Sequence, residues 1–132
     1  MKLENIDLQW PNALRWFLVQ NSMHFCPWHF LSEPSEFESA ANAFANEDIN
    51  KRKLFVFASR QDNDDFAGLE IVNGQITDTV IVFHPSFSSN KSERSWNIVD
   101  AEFEDVFEFV SNHVIPDMKD WAFTEDAADI AE

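Results

Sequence analysis

The densest polar run in the chain is Arg60-Gln61-Asp62-Asn63-Asp64-Asp65. Three acids this close can hold a divalent ion weakly, can fold back onto their own backbone as turn-forming Asp and Asn side chains do, or can face a basic partner. A calcium loop needs D-x-[DN]-x-[DN]-G and a closing Glu, and that spacing is absent. The run therefore reads as a β-turn in which Arg60 pairs with an acid, or as a partner contact made by Asp62, Asp64 and Asp65, and no metal site is expected. His24 and His29 stand five apart in a segment that reads as extended, which would send them to opposite faces and deny them a common ion. His84 and His113 are isolated, and a hydrogen-bonded structural histidine is the expectation for each. Cys26 is the sole cysteine, which excludes an internal disulfide and any zinc site needing two thiolates. Gly68 and Gly74 are the sole glycines, too few for a P-loop, a G-x-G-x-x-G turn or a G-x-S-x-G nucleophile elbow. No catalytic constellation emerges, so the reading is of a protein that is not an enzyme and carries no cofactor.

The elements that must position these residues come from a 132-residue chain, the size of one domain, in which 45% of residues are hydrophobic. Acids outnumber bases 24 to 9, for a net charge of −15. Such a surface repels phosphate backbones and anionic lipid heads, so neither nucleic acid nor membrane is an expected partner. No apolar run approaches the ~18 residues of a membrane span. The opening MKLENIDLQW lacks a signal peptide's apolar stretch, which makes the cytoplasm the default compartment. Charge is unevenly placed. Lys51, Arg52, Lys53 and Arg60 cluster mid-chain, whereas Ala101 to Glu132 holds ten acids and one base, Lys119. The acid-rich end reads as a solvated helix face with an acidic tail over 123–132, or as a surface for a basic partner.

Pro11 can open a helix, and Trp10, Leu14, Phe17 and Leu18 then share one face. Trp16 and Val19 lie on the other, so this helix is expected to be covered on most sides. Pro27 forbids a helix over His24 to Leu31. Ser35 and Glu38 have capping-box spacing before a second helix whose stripe is Phe37, Ala40, Ala41 and Phe44. Leu54 to Ala58 is apolar on both faces, as in a central strand. Phe66 to Val72 and Ile76 to His84 flank Asn73-Gly74, the dipeptide of a type I′ hairpin turn. A polar loop is expected over Pro85 to Ser95, and a short edge strand over Trp96 to Val99. Asp100 would cap a final helix that aligns Phe103, Val106, Phe107, Val110 and Val114, with Glu104, Asp105 and Glu108 opposite. Pro116 should kink or break it. This order gives an α+β class: a single domain over 1–122, with a twisted antiparallel sheet and helices packed against it.

Taken in order, these residues resemble the SUKH superfamily, which includes bacterial immunity proteins and the fungal Smi/Knr-type regulators. Phe57-Ala58-x-Arg60-Gln61-Asp62-x-Asp64-Asp65-x-Ala67 is similar to that family's FA-x-RQD-x-DD-x-A stretch. Pro27-Trp28-x-x-Leu31 resembles its PW segment, Pro11 with Phe17-Leu18 its first helix, Val80 to His84 its hairpin strand, and Phe103 to Val110 its final helix. The likeness runs from Trp10 to Ala122. It departs at Asn21-Ser22-Met23, where the family often has Asn-Gly-Gly, and at Asn63, where Gly is common.

The resemblance implies a mixed α+β domain without enzymatic activity. Its bacterial members bind and neutralise a cognate toxin, often a nuclease. On that reading the partner is a basic toxin domain, met by Asp62, Asp64 and Asp65 in the turn and Glu104, Asp105 and Glu108 on the last helix. Trp28 and Trp96 are the aromatic surface to consider next. The alternative is an intracellular regulatory or scaffold domain of the Smi/Knr-like kind.

Overall fold

The computed structural model describes residues 1–20, 24–87 and 97–130. A 3₁₀ turn at Leu3–Asn5 leads into helix α1, Asn12–Leu18. Strands β1 (His24–Phe25) and β2 (Trp28–Phe30) follow, then helix α2 (Glu38–Glu47). Strands β3 (Lys53–Arg60), β4 (Phe66–Val72), β5 (Gln75–Phe83) and β6 (Val99–Phe103) complete the sheet. Helix α3 (Val106–Phe109) continues through a π turn (Val110–Val114) into α4 (Ile115–Ala122), and a last helical turn, α5, spans Ala127–Ile130. The six strands pair antiparallel in sequence order, so the class is α+β, with the sheet a simple meander.

Helices cover both faces, which explains why the central strands are apolar throughout. Val80 and Val82 of β5 join Trp10, Leu14, Leu18, Val106, Phe109 and Val114 in one core. Their alternates, Ile81 and Phe83, join Ala40 and Phe44 of α2 in the other. All four β5 residues are fully buried. In β3 the alternation is broken by a bulge between Val56 and Ala58, so Phe57 and Ala58 both serve the first core while Leu54 and Val56 serve the second. The Asn73-Gly74 turn has φ of 52° and 78°, and it pairs Val72 with Gln75 and Ile71 with Ile76, as the two-residue loop requires.

The structure corrects several local expectations. His24 to Leu31 is not one extended run but a hairpin, with the Cys26–Pro27 peptide cis in its turn. The capping box at Ser35 does not form. Phe37 is the residue before α2, and Glu36 bonds back to Ser32, accepting from both its N–H and its hydroxyl at 2.8 Å. The outer side of α1 is bare, with Trp16 and Val19 exposed. The edge strand begins at Val99, where it was expected to end, and it takes in Asp100 and Phe103. Asp105, not Asp100, caps the final helix, accepting the Glu108 N–H at 2.9 Å. Val106 and Val114 are fully buried and Phe103 and Val110 pack against the same core, as the expected stripe requires, but Phe107 is half exposed and Phe109 is buried in its stead. Pro116 breaks nothing. The wider π turn just before it relieves the carbonyl that the proline ring would strike, and the chain stays helical from Val106 to Ala122.

Candidate functional site

Three chain segments converge at one end of the sheet: the β1–β2 hairpin, the β3–β4 turn, and α4 with the chain that follows it. The hairpin and the C-terminal chain flank an open cavity of about 680 Å³, lined by His24, Phe25, Cys26 and His29 on one side and Met118, Trp121, Glu125 and Ile130 on the other. The β3–β4 turn is tied to the same hairpin. Gln61 donates its backbone N–H to the Pro27 carbonyl at 2.8 Å, and its side-chain carbonyl accepts from Cys26 Sγ at 3.5 Å and bonds the His29 Nε2.

Asp117 joins the three. Its Oδ2 accepts the Trp28 Nε1–H at 2.8 Å and the Arg60 Nη1–H at 3.1 Å, and lies 3.9 Å from His113 Nε2. Trp28 is therefore not the exposed aromatic surface expected from the sequence. It is completely buried against Phe109 and His113, and it anchors the hairpin to the helix. Trp96 lies outside the described residues, as does most of the expected 85–95 loop.

The three turn aspartates have different fates. Asp62 takes a two-pronged contact from Arg60, with Nε at 2.6 Å and Nη2 at 3.2 Å. Asp65 accepts from His84 Nδ1 at 2.8 Å, while its backbone N–H is held by Asn63 Oδ1 at 2.8 Å in an Asx turn. Asp64 alone is exposed with no hydrogen bond or ion pair among the described residues. So Arg60 does pair with an acid of the turn, and it bridges to Asp117 besides. Asp65 also borders a recess of about 270 Å³ with His84, Asn97, Ile98 and Asp100. Burial there, reinforced by the nearby Asp65 charge, raises the Asp100 carboxyl above its ordinary pKa.

The expected acidic helix face does not exist as one surface. Glu104 lies exposed in the bend between β6 and α3, Asp105 spends its carboxylate on the cap, and only Glu108 is helical. Among the described residues no group of three or more His, Cys, Asp or Glu side chains is arranged to hold a metal ion. No described helix is long and apolar enough to cross a membrane.

Sequence reasoning missed Asp117, Gln61 and the meeting of His24 with His29. The histidines carried a signal: H-F-C-P-W-H is symmetric about Cys26-Pro27, and a hairpin turn there makes the pair directly opposite and same-facing. Asp117 carried only its place one turn after His113. Comparison with protein-family models, with curated proteins and with solved structures finds no match to this chain.

Proposed function

We propose that this protein is a binding module of the immunity type, which neutralises a basic toxin domain, with a nuclease as the first class to test, by covering its substrate cleft. The observation that carries the reading is how charge is spent. Arg52 is held by Asp48 and Glu102, and Arg60 by Asp62 and Asp117, at 2.6–3.1 Å. With both arginines occupied internally, much of the net charge of −15 is left to exposed acids such as Asp64 and Glu104. A basic cleft would be attracted by that field, and association would be fast and salt-sensitive. The resemblance to SUKH immunity proteins, through the Arg60-Gln61-Asp62-x-Asp64-Asp65 run, supports the same reading. It asks for no catalytic group of the chain's own.

The test is co-expression with the product of the adjacent upstream gene. The reading expects a stoichiometric complex, loss of the partner's toxicity, and an association rate that falls steeply with added salt. A neighbour that forms no complex and is not neutralised would overturn it.

A further inference from the structure

The cross-strand pair His24–His29 closes the mouth of the β1–β2 hairpin with its Nδ1 atoms 2.5 Å apart and its rings 4.7 Å between centroids. His29 Nε2 is engaged by the Gln61 side-chain carbonyl, which can only accept, so the proton of His29 sits on Nε2. Its Nδ1 then carries a lone pair aimed at His24, able to accept the His24 Nδ1–H or, once that proton is displaced, a cation. A histidine whose far nitrogen is fixed by a carbonyl is the arrangement that prepares the near nitrogen for a metal. Two imidazoles converging this closely have two stable occupants for the gap, one shared proton or one cation. The cavity of about 680 Å³ that both rings line gives an ion, and the waters completing its shell, a route in.

We propose that His24 and His29 bind one borderline transition cation, of the Zn²⁺, Ni²⁺ or Cu²⁺ class, through their Nδ1 atoms, with Gln61 as the positioning residue. Imidazole nitrogen suits these ions, whereas Ca²⁺ and Mg²⁺ take oxygen donors. Tetrahedral ligation at about 2.0–2.1 Å separates two nitrogens by roughly 3.3 Å, so the rings need part by less than ~1 Å. His24 is exposed and free to make that adjustment. The protein supplies two donors and water the others, so the site is weaker than a structural zinc centre. The net charge of −15 raises the local cation concentration. Two same-facing histidines thus replace the opposite-facing pair expected from the sequence.

The experiment titrates ZnCl₂, and separately NiCl₂, into the full chain near neutral pH by calorimetry, with histidine ring resonances followed by NMR in the unaltered protein. The expected result is one ion per chain at micromolar affinity, with His24 and His29 resonances shifting together. Affinity should fall at least tenfold in His24→Gln and in His29→Gln, and about tenfold in Gln61→Leu, the usual effect of losing an outer-shell partner. His84→Gln should leave it unchanged. Thermal unfolding of each variant separates loss of a ligand from loss of fold. Resonances that follow pH but ignore Zn²⁺ would assign the gap to a proton and overturn the proposal. So would uptake that appears only at millimolar ion, or that both histidine variants retain.

Discussion

Trp28 and Asp117, 89 residues apart, are joined by a 2.8 Å hydrogen bond from the indole N–H to the carboxylate. The bond fastens the β1–β2 hairpin to the helix that forms the other wall of the cavity. Removing the acceptor leaves a buried N–H without a partner, which costs about 1–3 kcal/mol, and Arg60 loses one of its two acids. Asp117→Ala should therefore destabilise the fold by about 2–3 kcal/mol in urea denaturation. Trp28→Phe has no N–H to strand, so adding Asp117→Ala to it should cost ~1 kcal/mol less than adding it to the parent. Equal costs in both backgrounds would show that the bond contributes nothing.

The two glycines make opposite demands. Gly68 faces β3 so closely that a Cβ would lie 3.0 Å from Leu54 Cβ and 3.2 Å from the Phe55 carbonyl oxygen. Gly74 has open space around it but a φ of 78°. Gly68→Ala should cost about 1–3 kcal/mol by overpacking. Gly74→Val should cost about 1–2 kcal/mol through its backbone alone. A diagnostic third variant is Gly74→Asn, which tolerates positive φ and should recover most of that loss. Thermal melts of the three variants check the ordering.

Acid should unfold the protein partly through Asp48. Its side chain is fully buried. Burial by itself would push this carboxyl's pKa up, but bonds from the Arg52 side chain at 2.9 Å and the Arg52 backbone N–H at 2.9 Å outweigh that and hold it below the ordinary value. A lowered folded-state pKa stabilises the fold fully above the unfolded value of about 3.9 and stops doing so as pH falls through the folded value. Asp48→Ala should cost about 2–4 kcal/mol at neutral pH. The gap between variant and parent should begin to close below about pH 4. A gap that is constant down to pH 2 would mean that packing, not charge, is what the substitution removes.

The fold was more legible in the sequence than the site. Strands β3 to β5 announce themselves because burial on both faces demands the unbroken apolar run Val80 to Phe83, and because Asn73-Gly74 admits one register. The start of the last helix was misplaced by five residues because Asp100 and Asp105 are equally good caps locally. Only pairing with β5, which gives Val82↔Ala101 and Val80↔Phe103, decides between them. Trp28 was misjudged because an indole beside a proline reads the same whether it faces solvent or a carboxylate 89 residues away. Asp62 and Asp65 look alike in the sequence, yet one is paired with its neighbour Arg60 and the other is hydrogen-bonded to His84, 19 residues away. The Arg60 pair is local and was legible, whereas a contact such as His84 to Asp65 leaves no periodic trace.

Those unequal fates set the last prediction, which rests on the proposed binding role. Asp64 and Glu104 carry charges that nothing in the described fold neutralises, so an approaching basic partner meets them at full strength. Asp62 is already spent on Arg60. Asp64→Asn and Glu104→Gln should each slow association with the captured partner, with a cost of ~0.2–1 kcal/mol per rim charge. Both effects should fade as salt brings the Debye length from about 10 Å at 0.1 M to about 3 Å at 1 M. Asp62→Asn should behave differently. It frees one side of the Arg60 guanidinium, loosens the turn, and lowers stability while the association rate changes less than in Asp64→Asn. Stopped-flow association at two salt concentrations, beside urea denaturation of the free protein, separates the two classes. If Asp62→Asn slows association as much as Asp64→Asn while leaving stability intact, the Arg60 pair does not hold in solution and the turn meets its partner with all its acids.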